Sequence, residues 1–187
     1  MRYLILILLF TTWQTHAQVV ENFELTNVLT GKKVSLNNFT SSRAVIIIFS
    51  AHACPYNEYY ITRIKDLSEV NQNKIPVLVI NSSSESDEST EEMAAYAAQN
   101  NLQFPYLADK EQKALAIFKP RKNPECYLLQ NSSGKFSIVY KGAIDDNPQS
   151  ATDVHHSYLQ SAIDQLLSGK KIEHADVRPV GCSIIKN

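Results

Sequence analysis

Cys54 stands at a position where a thiol can become reactive. It follows the apolar run Ala44–Phe49 after a short loop, and it precedes Pro55, a residue favoured at the first position of a helix. The unpaired N–H groups and the positive end of the helix dipole favour the thiolate there. A free thiol with a pKa of about 8.5 is only about 3% ionised at pH 7, whereas cysteines at helix N-termini reach ~3.5–7.5. The sequence therefore predicts that Cys54 is a nucleophile, and the nearby His52 could add positive charge or transfer protons.

A second thiol must release whatever Cys54 forms, whether a sulfenic acid or a mixed disulfide. Cys182 lies in the C-terminal segment after the last predicted helix, where a flexible tail could reach Cys54, and it is the favoured resolving cysteine. Cys126 lies on a predicted core strand, which indicates packing, although a Cys54–Cys126 pair stays open. A structural Cys126–Cys182 bridge that leaves Cys54 free is the third alternative.

The elements on either side of Cys54 predict a parallel crossover. Ala44–Phe49 and Ile75–Asn81 are continuous apolar runs, typical of strands that are buried on both faces. The segment from Pro55 to about Gln72 has apolar residues at helical spacing. A strand, a helix and a second strand in this order favour a right-handed parallel unit.

The rest of the chain predicts an α/β fold. Its mixed central β-sheet is flanked by helices and extended by an N-terminal β-hairpin. Ser82–Glu88 is polar and acidic and is predicted to be a surface loop. The further predicted elements are a hairpin over Glu21–Asn27 and Lys32–Leu36, a helix capped by Ser89 and Glu92 that runs to about Asn101, a strand over Phe104–Leu107, a helix over Lys110–Phe118, a hairpin over Cys126–Leu129 and Phe136–Tyr140, and a final helix over Tyr158–Leu167.

Composition and the first residues limit the partner class and the cellular location that we expect. The chain has 187 residues, 18 Lys+Arg and 19 Asp+Glu, so its charge gives no reason to expect nucleic acid as a partner. Residues 1–17, with a positive start, an apolar run and Ala17, have the pattern of a secretory signal peptide. We therefore expect a single domain over residues 18–187 with a Cys-bearing tail at 170–187. The expected location is periplasmic or secreted, with membrane contact only during export.

Five segments carry a family resemblance. They are FSAHACPYNEYY at 49–60, FPYLAD at 104–109, NPECYLL at 123–129, YKGAIDDN at 140–147 and RPVGCSIIK at 178–186. With these the chain resembles the thioredoxin superfamily, within its AhpC/TSA redoxin branch, and in particular exported peroxiredoxin-like proteins. The resemblance implies a thioredoxin-like fold, with Cys54 in the nucleophile position and Pro124 as a cis-proline facing it. It implies no cofactor.

The sequence departs from the family's motifs in ways that shape the expected chemistry. Asn57 stands where thioredoxins have the second cysteine of Cys-x-x-Cys. Ile47 and Ala51 stand where peroxiredoxins have a proline and the threonine that orients peroxide. Arg121 is a candidate for the activating guanidinium, or else part of a solvated basic turn. These departures favour thiol–disulfide exchange over efficient peroxide reduction.

The functional hypotheses are therefore ordered. The first is an exported thiol–disulfide oxidoreductase that acts through Cys54 on protein or small-molecule thiols and disulfides, with Cys182 or an external thiol releasing the intermediate. The second is a peroxiredoxin-like thiol peroxidase that acts on peroxide. The third is a non-catalytic thioredoxin-fold binding module, or a copper carrier that uses Cys54 and a histidine; apart from that carrier, no metal is expected.

Overall fold

The computed structural model of the protein describes residues 19–72 and 74–186. The expected signal peptide over residues 1–17 lies outside the described residues. The strands are β1 (Glu24–Asn27), β2 (Lys33–Ser35), β3 (Ala44–Phe49), β4 (Val77–Asn81), β5 (Tyr106–Ala108), β6 (Glu125–Ser132), β7 (Lys135–Gly142) and β8 (Asp176–Val177). The α-helices are α1 (Pro55–Asn71), α2 (Thr90–Gln99), α3 (Lys113–Phe118) and α4 (Tyr158–Leu167). No helix in these ranges is long and apolar enough to cross a membrane.

All of these strands form one mixed sheet, in the order β2-β1-β5-β4-β3-β6-β7-β8. The pairs β3–β4, β4–β5 and β7–β8 are parallel, and the remaining neighbours are antiparallel. The predicted α/β architecture, with its parallel crossover through α1 and its N-terminal hairpin, is therefore confirmed.

The central strand β3 is apolar throughout because both faces of the sheet are covered. Ala44, Ile46 and Ile48 pack into a core shared with α1, α2 and α4. The alternate residues pack into a second core, which α3 and the N-terminal segment close on the opposite face. Because successive side chains of a strand point to opposite faces, all six residues are buried. Complete burial stabilises by about 1.5–3 kcal/mol for each large apolar side chain.

The sheet topology brings distant parts of the chain to one edge. The carboxyl ends of the parallel strands β3 and β4 lie side by side, and the start of β6 lies opposite the end of β3 because Phe49 pairs with Glu125. The loop before α1, the loop after β4 and the Asn123–Pro124 segment therefore meet at this edge.

The observed elements differ from the expected ones near Lys110 and in the tail. The helix expected from Lys110 begins at Lys113, because Gln112 has a left-handed φ of 54° and the Asp109 carboxylate accepts the N–H groups of Ala114 and Leu115. The tail contains a strand that was not predicted, β8, which pairs with the end of β7. Gly142 permits this close approach, since a Cβ there would lie 1.9 Å from the carbonyl oxygen of Val177.

Candidate active site

Cys54 and Cys182 form a disulfide at this edge of the sheet. The two residues are 128 positions apart, and their Cα atoms are 6.0 Å apart. Cys54 is the N-cap residue of α1, directly before Pro55, as its sequence context predicted. Its exposed fraction is only 6%, so in this oxidised form it lies beneath the tail.

Cys126 takes part in neither of the alternative pairings. It is a free thiol on β6 with no exposed surface, and its Sγ lies 3.1 Å from the carbonyl oxygen of Gly142. Burial, with the nearby Glu125 carboxylate adding to it, raises the pKa of this thiol well above its usual value. Cys126 is therefore a packing residue and a weak nucleophile.

The loop before Cys54 is held by Glu88, a residue that the sequence placed in a surface loop. That prediction was wrong for Glu88, whose exposed fraction is 1%. Its carboxylate accepts the N–H of Ala53 at 2.7 Å and lies 2.6 Å from Nδ1 of His52. The side-chain amide of Asn81 donates to the same carboxylate. Glu88 thus fixes both residues that precede the nucleophile, and His52 faces this carboxylate.

Hydrogen bonds hold Glu88 in its ionised form although it is buried. Burial opposes ionisation, but the bonds from His52, from the Ala53 N–H and from Asn81 outweigh it, so the pKa of Glu88 lies below its usual value. The carboxylate is a fixed negative charge beneath the Cys54 loop at neutral pH.

Further polar side chains continue this network under α1. The side-chain amide nitrogen of Asn57 donates to the hydroxyl of Tyr96 at 2.6 Å, and the Ser50 hydroxyl donates to the side-chain oxygen Oδ1 of Asn57 at 2.8 Å. The ring of Tyr96 stacks on that of His52, with their centroids 5.0 Å apart. Asn57, which replaces the second cysteine of a Cys-x-x-Cys motif, therefore braces the start of α1.

Replacing Glu88 by glutamine tests this network. An amide cannot accept from Ala53, His52 and Asn81 together, so we expect Glu88→Gln to lower the free energy of unfolding at pH 7 by about 2 kcal/mol. Because the folded-state pKa of Glu88 is depressed, the carboxylate stabilises the wild type above about pH 4.3, and this gain is lost as the pH falls through the folded-state pKa. Urea unfolding of both proteins at pH 7 and pH 3.5 measures the difference.

The exposed neighbour Asp87 supplies the matched control for that measurement. Asp87→Asn should change the unfolding free energy by less than about 0.5 kcal/mol. An equal gap between the wild type and Glu88→Gln at both pH values would contradict the proposed role of the Glu88 carboxylate.

The Asn123–Pro124 segment lies across the site from α1. The peptide bond between these residues is cis, as the resemblance implied for Pro124. The carbonyl oxygen of Asn123 is 3.4 Å from Sγ of Cys54. Asn123 and Cys182 also exchange two backbone hydrogen bonds, of 2.8 and 3.0 Å, as an isolated antiparallel bridge. The tail is thus seated on the segment that faces the nucleophile, whereas the sequence suggested a flexible tail.

A cleft borders the disulfide. It is lined by the loop that carries Cys54, by Ser82–Ser83 and Glu88, by Leu115 of α3, and by tail residues 182–185. Arg121 does not line it, because the guanidinium is bound by the Glu125 and Asp176 carboxylates. Arg121 is therefore an exposed side chain held by two carboxylates, as a solvated turn allows, and it is not in position beside the thiol.

Asp145, within the family-like segment 140–147, does not line the cleft. Asp145 is buried and accepts from the Tyr60 hydroxyl at 3.0 Å and from Arg63 at 2.7 Å, so it acts as a structural carboxylate. Among residues 19–72 and 74–186, no group of three or more His, Cys, Asp or Glu could hold a metal ion. The copper-carrier hypothesis thus finds no three-ligand group in this part of the chain.

Glu88, Asn81 and Asn123 are the site residues that sequence reasoning missed. Glu88 stands among several carboxylates of the same type between residues 85 and 92, and nothing in the spacing distinguishes it. Asn81 ends an apolar strand, which was a usable signal, because polar side chains at the carboxyl end of a central strand commonly line sites.

Comparison with known proteins agrees with this architecture. The model of the AhpC/TSA family matches residues 17–143. No curated protein matches the sequence significantly. An uncharacterised conserved protein from Geobacillus kaustophilus has a TM-score of 0.83 and 26% identity, over 91% of this chain and 92% of that chain. A hypothetical protein from Sinorhizobium meliloti 1021 has a TM-score of 0.80 and 25% identity, over 92% and 95%.

A third similar structure is a thioredoxin. The exposed lipoprotein thioredoxin of Streptococcus pneumoniae strain TIGR4 has a TM-score of 0.59 and 17% identity, over 79% of this chain and 99% of that chain. At this identity the likeness concerns the fold alone. Together with the family match, it confirms the expected thioredoxin-like fold, and the chain belongs to the AhpC/TSA family.

Proposed function

We propose that the protein is an exported thiol–disulfide oxidoreductase whose redox couple is Cys54 and Cys182. The observation that carries the proposal is the disulfide between the N-cap residue of α1 and the tail, beside an open cleft. Family membership supports redox chemistry at this position. Export is supported by the signal-peptide pattern of residues 1–17 and by a disulfide, which persists in oxidising compartments.

The two thiols complete a cycle without a cofactor. In the reduced protein the Cys54 thiolate attacks one sulfur of a substrate disulfide, and the other substrate sulfur leaves as a thiolate. The Cys182 thiolate then attacks Sγ of Cys54 and releases the second substrate thiolate. The substrate gains two electrons, and the protein ends with the Cys54–Cys182 bond that the structure contains.

The chain's own residues prepare the first step. The start of α1 favours the Cys54 thiolate. Glu88 fixes the backbone before Cys54, and Nδ1 of His52 lies 2.6 Å from its carboxylate. We propose that His52 acts as a positioning residue that holds this carboxylate beneath the loop.

The peroxidase alternative has less support in the site. Ala51 offers no hydroxyl group to a peroxide, and the Arg121 guanidinium is held by Glu125 and Asp176. Attack of Cys54 on a disulfide needs neither group, because the leaving group is a thiolate and not the oxygen atom of a peroxide.

A single-turnover experiment separates the candidate functions. The fully reduced protein is mixed with a protein disulfide substrate, with catalase present, and products are followed by mass spectrometry after acid quenching. We expect one substrate disulfide to be reduced for each Cys54–Cys182 bond formed. If the same protein is inert toward disulfides but, in a parallel sample without catalase, consumes one equivalent of hydrogen peroxide, it is a peroxidase. If neither reaction occurs, the binding-module hypothesis replaces this proposal.

A further inference from the structure

The tail pairs with the Asn123–Pro124 segment as an extended peptide would. The Cys182 N–H donates to the Asn123 carbonyl oxygen, and the Asn123 N–H donates to the Cys182 carbonyl oxygen. These bonds use only backbone atoms, so a peptide from any other protein could make them. Specificity must then come from the side chains on either side of the cysteine.

The position before the cysteine requires a residue without a side chain. A Cβ on Gly181 would lie 2.0 Å from the carbonyl oxygen and 2.6 Å from the carbonyl carbon of Asn123. Both are backbone atoms next to Pro124, so they cannot turn away as a flexible side chain would. Gly181 does not have a left-handed φ, and its close approach is therefore the reason for glycine here.

The position two residues after the cysteine is also selective. Ile184 packs against the core cluster that contains Leu115, and it lines the cleft. By contrast, Val180 and Ile185 are 50% and 52% exposed. At Ile185 the protein contacts the backbone, through the Gln112 side-chain amide, which donates to the carbonyl oxygen at 2.9 Å.

We infer that the substrates of this site are extended peptide segments with glycine directly before the reacting cysteine and a branched aliphatic residue two positions after it. The inference rests on the proposed function and names its substrate class. The tail is then a built-in copy of the substrate, and it takes the substrate's place when Cys182 displaces the substrate sulfur from Cys54.

Peptide thiols of defined sequence test the inference on the full-length protein. The variant Cys182→Ser, with Cys126→Ala to remove the other thiol, is converted at Cys54 to the mixed disulfide with 5-thio-2-nitrobenzoate. An added peptide thiolate attacks Sγ of Cys54, the bond to the reagent breaks, and the coloured 5-thio-2-nitrobenzoate anion leaves with the electron pair. The reference peptide is acetyl-PVGCSIIK-amide, which repeats residues 179–186.

Two altered peptides give the expected result. Valine in place of the glycine should slow release by at least about tenfold, because the added side chain meets the Asn123 backbone. Alanine in place of the first isoleucine should slow it by about fivefold to tenfold, because part of the apolar contact is lost. Alanine in place of the peptide's valine is the matched control and should change the rate by less than about twofold, since Val180 is half exposed.

Competition with the tail gives a second measurement. Adding Gly181→Val to the protein should loosen its own tail and raise the rate with the reference peptide by about fivefold or more, whereas adding Val180→Ala should not. Rapid release with glutathione but equal rates for all peptides would overturn the substrate class and leave the proposed function intact. Failure of glutathione and of every peptide to react with the mixed disulfide at Cys54 would overturn the proposed function itself.

Discussion

Replacement of Cys54 by serine is expected to abolish disulfide reduction, with a fall in turnover of at least about a thousandfold. A serine hydroxyl at the same N-cap position stays protonated at neutral pH, so the start of α1 has no sulfur nucleophile to activate. The measurement is turnover of a protein disulfide with dithiothreitol as the terminal reductant. The melting temperature of the variant should equal that of the reduced wild type, because the substitution is nearly isosteric and no internal disulfide can form.

Cys126→Ala is the matched control for that experiment. Its thiol is buried, its pKa is raised, and it lies on β6 away from the cleft lining. We expect turnover to stay within about twofold of the wild type, with a loss of stability of about 1 kcal/mol from the lost thiol contacts. Full activity of Cys54→Ser, or inactivity of a folded Cys126→Ala, would assign the chemistry to a different sulfur.

The central part of the fold could be predicted because its signals are local. The run Ala44–Phe49 is apolar at every position, which predicts a strand covered on both faces, and the proline after Cys54 marks the start of a helix. The position of Cys54 at a strand-to-helix junction follows from these two patterns. The Cys182 pairing remained one of three alternatives at that stage, because spacing along the chain does not determine distance between thiols.

Glu88 and the seated tail could not be predicted because they depend on contacts between distant segments. Glu88 is buried where the start of α2 meets the end of β4, and its partners His52 and Ala53 come from a different loop. The tail is placed by β8 and by the Asn123–Cys182 bridge, which are formed largely by backbone atoms and leave little trace in the residue types. Among the described residues, we identify only Gly142 and Gly181 as residue types that reflect these close backbone contacts. Neither glycine predicts its contact until the segment that it faces is known.

Replacement of Cys182 by serine is expected to stop the cycle after its first step. Cys54 can still attack a substrate disulfide, but no internal thiol can release the product, so the mixed disulfide between Cys54 and the substrate should accumulate to one equivalent. Mass spectrometry after acid quenching detects it. Wild-type protein treated in the same way should instead end as the Cys54–Cys182 disulfide, with free substrate thiols.

The same substitution should also destabilise the oxidised protein. The bond closes a loop with a sequence separation of 128 residues, and disulfides typically stabilise by about 2–4 kcal/mol, mainly through the unfolded chain. For a domain of this size that corresponds to a melting temperature about 5–15 °C lower.

Two controls accompany this measurement. Reduced wild type should melt within about 2 °C of Cys182→Ser, which would show that the lost disulfide, and not the missing sulfur atom, lowers the melting temperature. Val180→Ala, at a half-exposed tail position that does not line the cleft, should keep both the melting temperature and the turnover of the wild type. If Cys182→Ser releases both substrate thiols in the acid-quenched single turnover and melts with the oxidised wild type, Cys182 is not the partner of Cys54, and the second sulfur of the cycle must come from a different thiol.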